Sequence, residues 1–282
     1  MPRFVLTLSC PDRIGIVAAV STFLLHRGCN IVDSAQFGDP EYRRFFMRVC
    51  FDADTTSSVA GLTEAFAPVA ESFAMHHRFY DVAVKPRVLI LVSRLGHCLN
   101  DLLYRFRTGT LPVDIPAIVS NHPDFQPLAA AHGIPFIHMP VSANNRVDQE
   151  VRLREIIDTE RCNLVVLARY MQILSPALCQ HLRERAINIH HSFLPSFQGA
   201  RPYHQAHTRG VKLIGATAHY VTEALDEGPI IEQDVARVSH AMSVEDYVEV
   251  GRDVECAVLA RAVKWHVEHR VLLNGSRTVV FR

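Results

Sequence analysis

A change of rhythm at Lys85-Pro86 constrains this chain more than any other feature. Beyond it, short apolar runs at residues 88–93, 115–120, 136–141 and 163–168 alternate with helical segments such as 99–106 and 147–160. Alternating β and α segments imply a mostly parallel, doubly wound, Rossmann-like sheet with helices on both faces. Such sheets bind their ligands at the carboxyl ends of the strands. The junction itself is extended, because a residue before proline is driven out of the helical region. Residues 277–282 read as a last edge strand.

Before the junction the pattern differs. Residues 3–9 read as a strand, Pro11-Asp12-Arg13 breaks it, and an apolar-periodic stretch over 14–26 stops at Gly28, with Asp12 the expected helix cap. Residues 29–37 and 42–51 flank the turn Gly38-Asp39-Pro40 and should form an antiparallel hairpin. A helix is expected over 59–73, bent or split by Pro68, and a strand over 77–84. The order β-α-β-β-α-β is the split βαβ, ferredoxin-like arrangement. Domains are therefore expected at 1–84 and 85–282.

The segment Cys10-Pro-Asp-Arg-Ile-Gly-Ile-Val-Ala followed by Arg27-Gly-Cys-Asn-Ile-Val-Asp33 resembles the ACT domain, a small-molecule sensing module. The resemblance implies an amino-acid effector near Asp12, Arg13, Gly15 and Ile16, with Asn30 and Ile31 on the adjoining strand, and Asp12 or Asn30 holding its amino group. The same loop equally suits helix capping and dimerisation. ACT modules commonly pair, so a homo-oligomer, dimer or tetramer, is expected.

Composition narrows the function. Lys+Arg and Asp+Glu are balanced at 29 each, which argues against a nucleic-acid partner. No uncharged apolar run approaches the roughly 20 residues that span a bilayer, and residues 4–8 are too short for a signal segment, so a cytoplasmic chain with no membrane partner is expected. Seven scattered cysteines, without Cys-x-x-Cys spacing, fit reduced thiols rather than disulfides or a zinc ribbon. Sixteen histidines invite a metal, and His204-x-x-His207 and His266-x-x-His269 have helical spacing. Neither pair has a His-Glu-x-x-His context or a Cys-rich partner set, so no metal is expected.

Chemistry concentrates in Ala186-Ile-Asn-Ile-His-His-Ser-Phe-Leu-Pro195, where a strand runs into a loop. Residues two apart share a strand face, so Asn188 and His190 point together while Ile187 and Ile189 turn into packing. An amide donor beside an imidazole can hold a carbonyl oxygen and stabilise charge developing on it. Alone, the pair more often describes a polar strand end satisfied by neighbouring backbone. Asp226, before Glu227-Gly228-Pro229, is by itself an ordinary turn residue.

His-x-Ser-Phe-Leu-Pro followed by Ala-His-Tyr-Val and Leu-Asp-Glu-Gly-Pro-Ile resembles the folate-dependent formyl-transfer fold. The resemblance implies Asn188, His190 and Asp226 as catalytic residues. It also implies a pterin-binding segment, Leu167-Ala-Arg-Tyr-Met-Gln-Ile-Leu-Ser-Pro176, with Arg169, Met171, Gln172, Ile173 and Leu174 against the folate and His219 beside the substrate and able to shape Asp226's protonation. Val92-Ser-Arg-Leu-Gly-His-Cys-Leu-Asn100 lacks the Gly-Ser-Asn-type loop of nucleotide-using members. An ACT module before this fold, together with Gly199-Ala-Arg-Pro-Tyr-His-Gln-Ala206, is similar to the formyltetrahydrofolate deformylase family. That resemblance implies hydrolysis of 10-formyltetrahydrofolate to tetrahydrofolate and formate, for purine synthesis and folate recycling, with no prosthetic group. Asp226 would orient and deprotonate the water, and His191 could reach the same water or face solvent. A formyltransferase with an amine acceptor and a non-catalytic sensor are the alternatives.

Overall fold

Phe4, Leu6, Leu8 and Cys10 recur at every second position of β1 (Arg3–Pro11) and are buried, the period that a sheet covered on one face demands. Phe45, Met47, Val49 and Phe51 repeat it on β3 (Arg44–Asp52). Onto this face α1 (Ile16–His26) lays Ile16, Val20 and Leu24, and α2 (Val59–Phe73) lays Leu62, Phe66 and Ala70, each set spaced by four. With β2 (Asn30–Asp39) and β4 (His76–Asp81) the strand order is β2-β3-β1-β4, antiparallel throughout, as the split βαβ reading requires. The computed structural model describes residues 1–194 and 202–282.

Two local expectations need correction. Gly15, at φ 96°, rather than Asp12 precedes α1, and no side chain caps it. A turn with a left-handed residue suits glycine and leaves Asp12 outside the helix. α2 is one helix through Pro68 rather than two, because Pro68 and Glu64 are both exposed and the carbonyl that loses its donor is open to solvent. The expected stop holds: α1 ends where Gly28 takes φ 65° and Cys29 N–H bonds back to the Leu24 carbonyl.

The second unit, Pro86–Val267, carries a seven-stranded sheet. In chain order it holds β5 (Val88–Val92), α3 (His97–Arg107), β6 (Ile118–Ser120), α4 (Gln126–Ala131), β7 (Phe136–His138), α5 (Arg146–Thr159), β8 (Leu164–Leu167), α6 (Pro176–His181), β9 (Ala186–His190), α7 (Pro202–Thr208), β10 (Leu213–Tyr220), β11 (Ile230–Arg237) and α8 (Val244–Val267). The sheet order is β11-β10-β9-β8-β5-β6-β7, parallel from β7 through β9 and antiparallel at β10 and β11. Every residue of β5 and β8 is buried, as strands covered on both faces must be. The order reverses beside β5, whose neighbours are β6 and β8, so a crevice opens at the carboxyl ends of β5, β8 and β9.

The chain's last residues do not extend this sheet. β12 (Val271–Asn274) and β13 (Arg277–Val280) form a separate hairpin, and Glu268–Arg282 belongs with Met1–Lys85 rather than with the 85–282 segment expected from sequence. The ties are specific. Arg48 donates to the Glu268 carbonyl at 3.1 and 3.3 Å, Asn274 Nδ2 donates to Asp39 at 2.5 Å, and Tyr80 stacks on His269 at 3.5 Å. Buried Arg48 and Asp39 need these partners, since unpaired charge in a protein interior is costly.

Candidate active site

β9 ends in Asn188 and His190, and β10 runs antiparallel beside it with His219 directly opposite Asn188. A register irregularity between Ala218 and His219 re-aims this strand end. The following loop brings Asp226 back over the strand ends. Asp226 adopts φ 58°, a left-handed conformation that aspartate tolerates better than most residues. Gly228 makes the return possible, because a Cβ there would lie 1.7 Å from the Tyr220 carbonyl oxygen.

The four polar groups form one network. His190 Nδ1 lies 3.2 Å from one Asp226 oxygen, and His219 Nε2 lies 3.6 Å from the other. His219 Nδ1 donates to the Tyr220 carbonyl at 2.9 Å, so its Nε2 is free to accept from Asn188 Nδ2 at 3.3 Å. One hydrogen of the Asn188 amide remains for a ligand. Burial opposes the Asp226 charge, but the hydrogen bond that His190 donates through Nδ1 outweighs it and holds the carboxyl well below its usual range. His190 Nε2 is buried and has no hydrogen-bond partner among the described residues.

These side chains line a cavity of about 610 Å³. Arg169, Met171, Gln172, Ile173 and Leu174 form another wall, so the structure gathers the expected catalytic and substrate-contacting residues into one site. Met171 and Ile173 are more than half exposed there, leaving an apolar surface that suits a flat ring. His191 is half-buried, with its ring against Tyr203 and His190. Burial, then repulsion from Arg169 and His190, lowers its pKa to about 4, so it is neutral near pH 7. The Ser196-Phe197-Gln198 segment and Gly199 to Arg201 lie outside the described residues.

Sequence reasoning missed the opposite wall. Glu255 is 1% exposed and is hydrogen-bonded by His97 Nε2 at 2.8 Å and the Tyr203 hydroxyl at 2.6 Å, with Arg169 Nε 3.4 Å away as an ion pair without a hydrogen bond among the described residues. Burial raises its pKa, but His97, Arg169 and Tyr203 outweigh that and keep it ionised. The signal was present in the sequence: Tyr247, Gly251, Glu255, Val258 and Ala262 form the buried stripe of α8, and an acid within such a stripe needs a partner. Among the described residues, His97, Cys98 and Glu255 are the metal-ligand types that converge. Their donors engage one another: His97 and Arg169 face the same Glu255 oxygen, and the Cys98 thiol is pushed up by its hydrogen bond with Cys256 and by burial. Of the spaced histidines, His207 faces the Met242 carbonyl and His266 the Tyr220 hydroxyl.

The expected effector residues do not converge within one chain. Asn30 pairs with Asp52, which pairs with Arg3 at the start of β1, whereas Asp12 follows the far end of that strand and adjoins Gly38. Asp12, Arg13, Gly15 and Ile16 thus sit at one end of the sheet and Asn30 and Ile31 at the other, separated by roughly the 3.3 Å per residue of a nine-residue strand. Arg13 donates to the Ser72 carbonyl and lies over the Phe73 ring at 4.4 Å.

Comparison with known proteins bears on these walls. Residues 86–263 match the Formyl transferase family and residues 4–65 the ACT domain. The chain is 50% identical over 281 residues to the formyltetrahydrofolate deformylase of Corynebacterium sp. (strain P-1), covering 99% of this chain and 98% of that protein. It superposes on the crystal structure of formyltetrahydrofolate deformylase from Burkholderia mallei ATCC 23344 with a TM-score of 0.95, at 56% identity and full coverage of both chains. Glycinamide ribonucleotide transformylase 1 from Symbiobacterium toebii matches at TM-score 0.68 and 30% identity, over 72% of this chain and 97% of that one.

Proposed function

The chain belongs to the formyltetrahydrofolate deformylase family, and on that premise we propose that it hydrolyses 10-formyltetrahydrofolate to tetrahydrofolate and formate. The observation that carries the reading is the unpartnered His190 Nε2, buried in the cavity wall beside an Asn188 amide hydrogen and backed by the Asp226 carboxylate. An amide donor on the same strand face as an imidazole nitrogen that becomes a donor once protonated suits a carbonyl oxygen that becomes an oxyanion.

In this mechanism the pterin lies against Met171 and Ile173, and the formyl oxygen faces Asn188 and His190. Water adds to the formyl carbon, and Asn188 and the His190 imidazolium stabilise the tetrahedral oxyanion. The C–N10 bond then breaks, N10 takes a proton from His190 or a water it holds, and formate leaves. Asp226 orients the water. The low carboxyl of Asp226 is a weak base, so the water's proton passes to Nε2 of a neutral His190 whose Nδ1–H stays on Asp226, and this forms the imidazolium that faces the oxyanion and then protonates N10. His219 fixes Asn188 through Nε2 and so places the oxyanion donor. The same proposal includes supply of formate to purine synthesis, reuse of tetrahydrofolate and action in the cytoplasm, which the seven free thiols suit. It also includes an amino-acid effector at the ACT portion and a homo-oligomer. The long, solvent-exposed edge strand β2, with Ile31, Val32 and Phe37 uncovered, supports the latter.

The test is formate release from 10-formyltetrahydrofolate without any amine. The parent is expected to release formate, and Asp226→Asn and His190→Ala are each expected to lose at least about a hundredfold in kcat while keeping the parent's circular dichroism. Near-parental rates in either variant would remove that residue from the mechanism, and a strict amine requirement would make the chain a transferase.

A further inference from the structure

Glu255 is a buried carboxylate on the cavity wall, yet nothing in the proposed reaction uses it. Its connections are distinctive. Arg169, whose guanidinium it pairs, has φ 63°, a conformation that is uncommon for a long side chain and persists only where the surroundings impose it. Ser93 grips the backbone just after that residue, on both sides of Tyr170. The Arg169 carbonyl accepts the Ser93 N–H at 3.2 Å, and the Ser93 hydroxyl accepts the Met171 N–H at 2.9 Å. The side chain needs its own anchor, and Glu255 is the anionic partner within reach among the described residues. Tyr203 reinforces it. The Tyr203 ring lies so close to α8 at Gly251 that a Cβ there would sit 2.2 Å away, and its hydroxyl is directed onto Glu255.

We propose that Glu255 is a positioning residue for the substrate pocket. It clamps the Arg169 side chain and thereby holds residues 169–174 in the shape that receives the flat ring, without touching the reacting atoms. Asn188, His190 and Asp226 are held by a separate network of β9, β10 and the 221–229 loop, so the two functions divide between binding and turnover. The inference rests on the folate reading above.

The experiment is steady-state kinetics of the full chain for Glu255→Gln, Arg169→Met and the double variant, with formate release by the parent measured in the same series. Gln keeps the shape of Glu255 but loses the charge that pairs Arg169. Each single variant is expected to raise KM about tenfold or more, with kcat changing far less than KM. The double variant is expected to match the worse single one, because both break one link. A fall in kcat at unchanged KM, multiplying KM effects in the double variant, or parental KM in all three would overturn the proposal. Should Glu255→Gln fail to fold, Tyr203→Phe and His97→Gln replace it, each removing or altering one donor to the carboxylate. The same KM rise is then expected, and parental KM refutes. If the parent releases no formate, the hydrolase reading has failed on its own. Calorimetric titration of the same variants with tetrahydrofolate then reads Kd in place of KM, and absence of binding by the parent overturns both.

Discussion

Gly228→Ala would add one carbon atom at the point where the site closes. The constraint is space rather than backbone conformation: the new Cβ would lie 1.7 Å from the Tyr220 carbonyl oxygen, 2.9 Å from its carbon and 3.3 Å from His219 Nδ1. A carbon and a carbonyl oxygen approach comfortably at about 3.3 Å, so the loop must retreat by roughly 1.5 Å. That motion stretches the Tyr220 N–H bond to the Pro229 carbonyl, now 2.9 Å, and carries Asp226, two residues upstream, away from His190 and His219. Misplacing a catalytic group by about 1 Å costs roughly a hundredfold in rate. Overpacking of this kind costs about 1–3 kcal/mol, or roughly 2–12 °C in melting temperature for a unit of this size. The expected result is therefore a folded protein whose kcat for formate release is down about a hundredfold. Formate release and a thermal melt on the same preparation measure both quantities. A variant within fivefold of the parent, with an unchanged melt, would show that Gly228 does not set the position of Asp226.

Other outcomes follow from the same geometry. Gly251→Ala should lower the melting temperature although alanine is the better helix former by about 1 kcal/mol, because the Cβ would strike the Tyr203 ring; a rise in melting temperature refutes this. Asn274→Ala removes the donor to buried Asp39 and should destabilise the N-terminal unit by about 1–3 kcal/mol, read by hydrogen exchange in β1 and β3, with unchanged protection as the contrary result. Stability should fall on acidification. Burial lowers His191 and His266 from 6.5 to about 4, so the unfolded chain binds their protons first, and stability complete above pH 6.5 is lost as pH drops toward 4. After allowance for partial exposure, each contributes about 2 kcal/mol. The depressed carboxyls of Asp226 and Glu255 add stability that is present above their ordinary range and lost below it. Urea midpoints that stay flat from pH 7 to pH 4.5 would contradict the histidine contribution.

Much of this molecule can be read from local pattern. The period-2 repeat of Phe4, Leu6 and Leu8, the four-residue spacing of Ile16, Val20 and Leu24, and the fully apolar 88–92 and 164–167 runs state strand, helix and buried strand directly. Burial imposes those periods on any sequence. Asn188 and His190 were legible as a same-face pair for the same reason, and the motif around Asp226 placed it with them.

Tertiary structure alone decided what depends on residues distant in the chain. Asp12 fails to cap α1 because Gly15 sets the helix entry, and the strand register carries Asn30 to the opposite end of the sheet from Asp12. The last residues join the first unit rather than the α/β sheet because Arg48 and Asp39, more than 200 residues earlier, meet the Glu268 carbonyl and the Asn274 amide. Glu255 becomes part of the cavity only when α8 packs against the loops after β5 and β8. A single acid in an apolar stripe announces that a partner is required, but periodicity carries no information about which distant donors, here His97, Arg169 and Tyr203, will meet it.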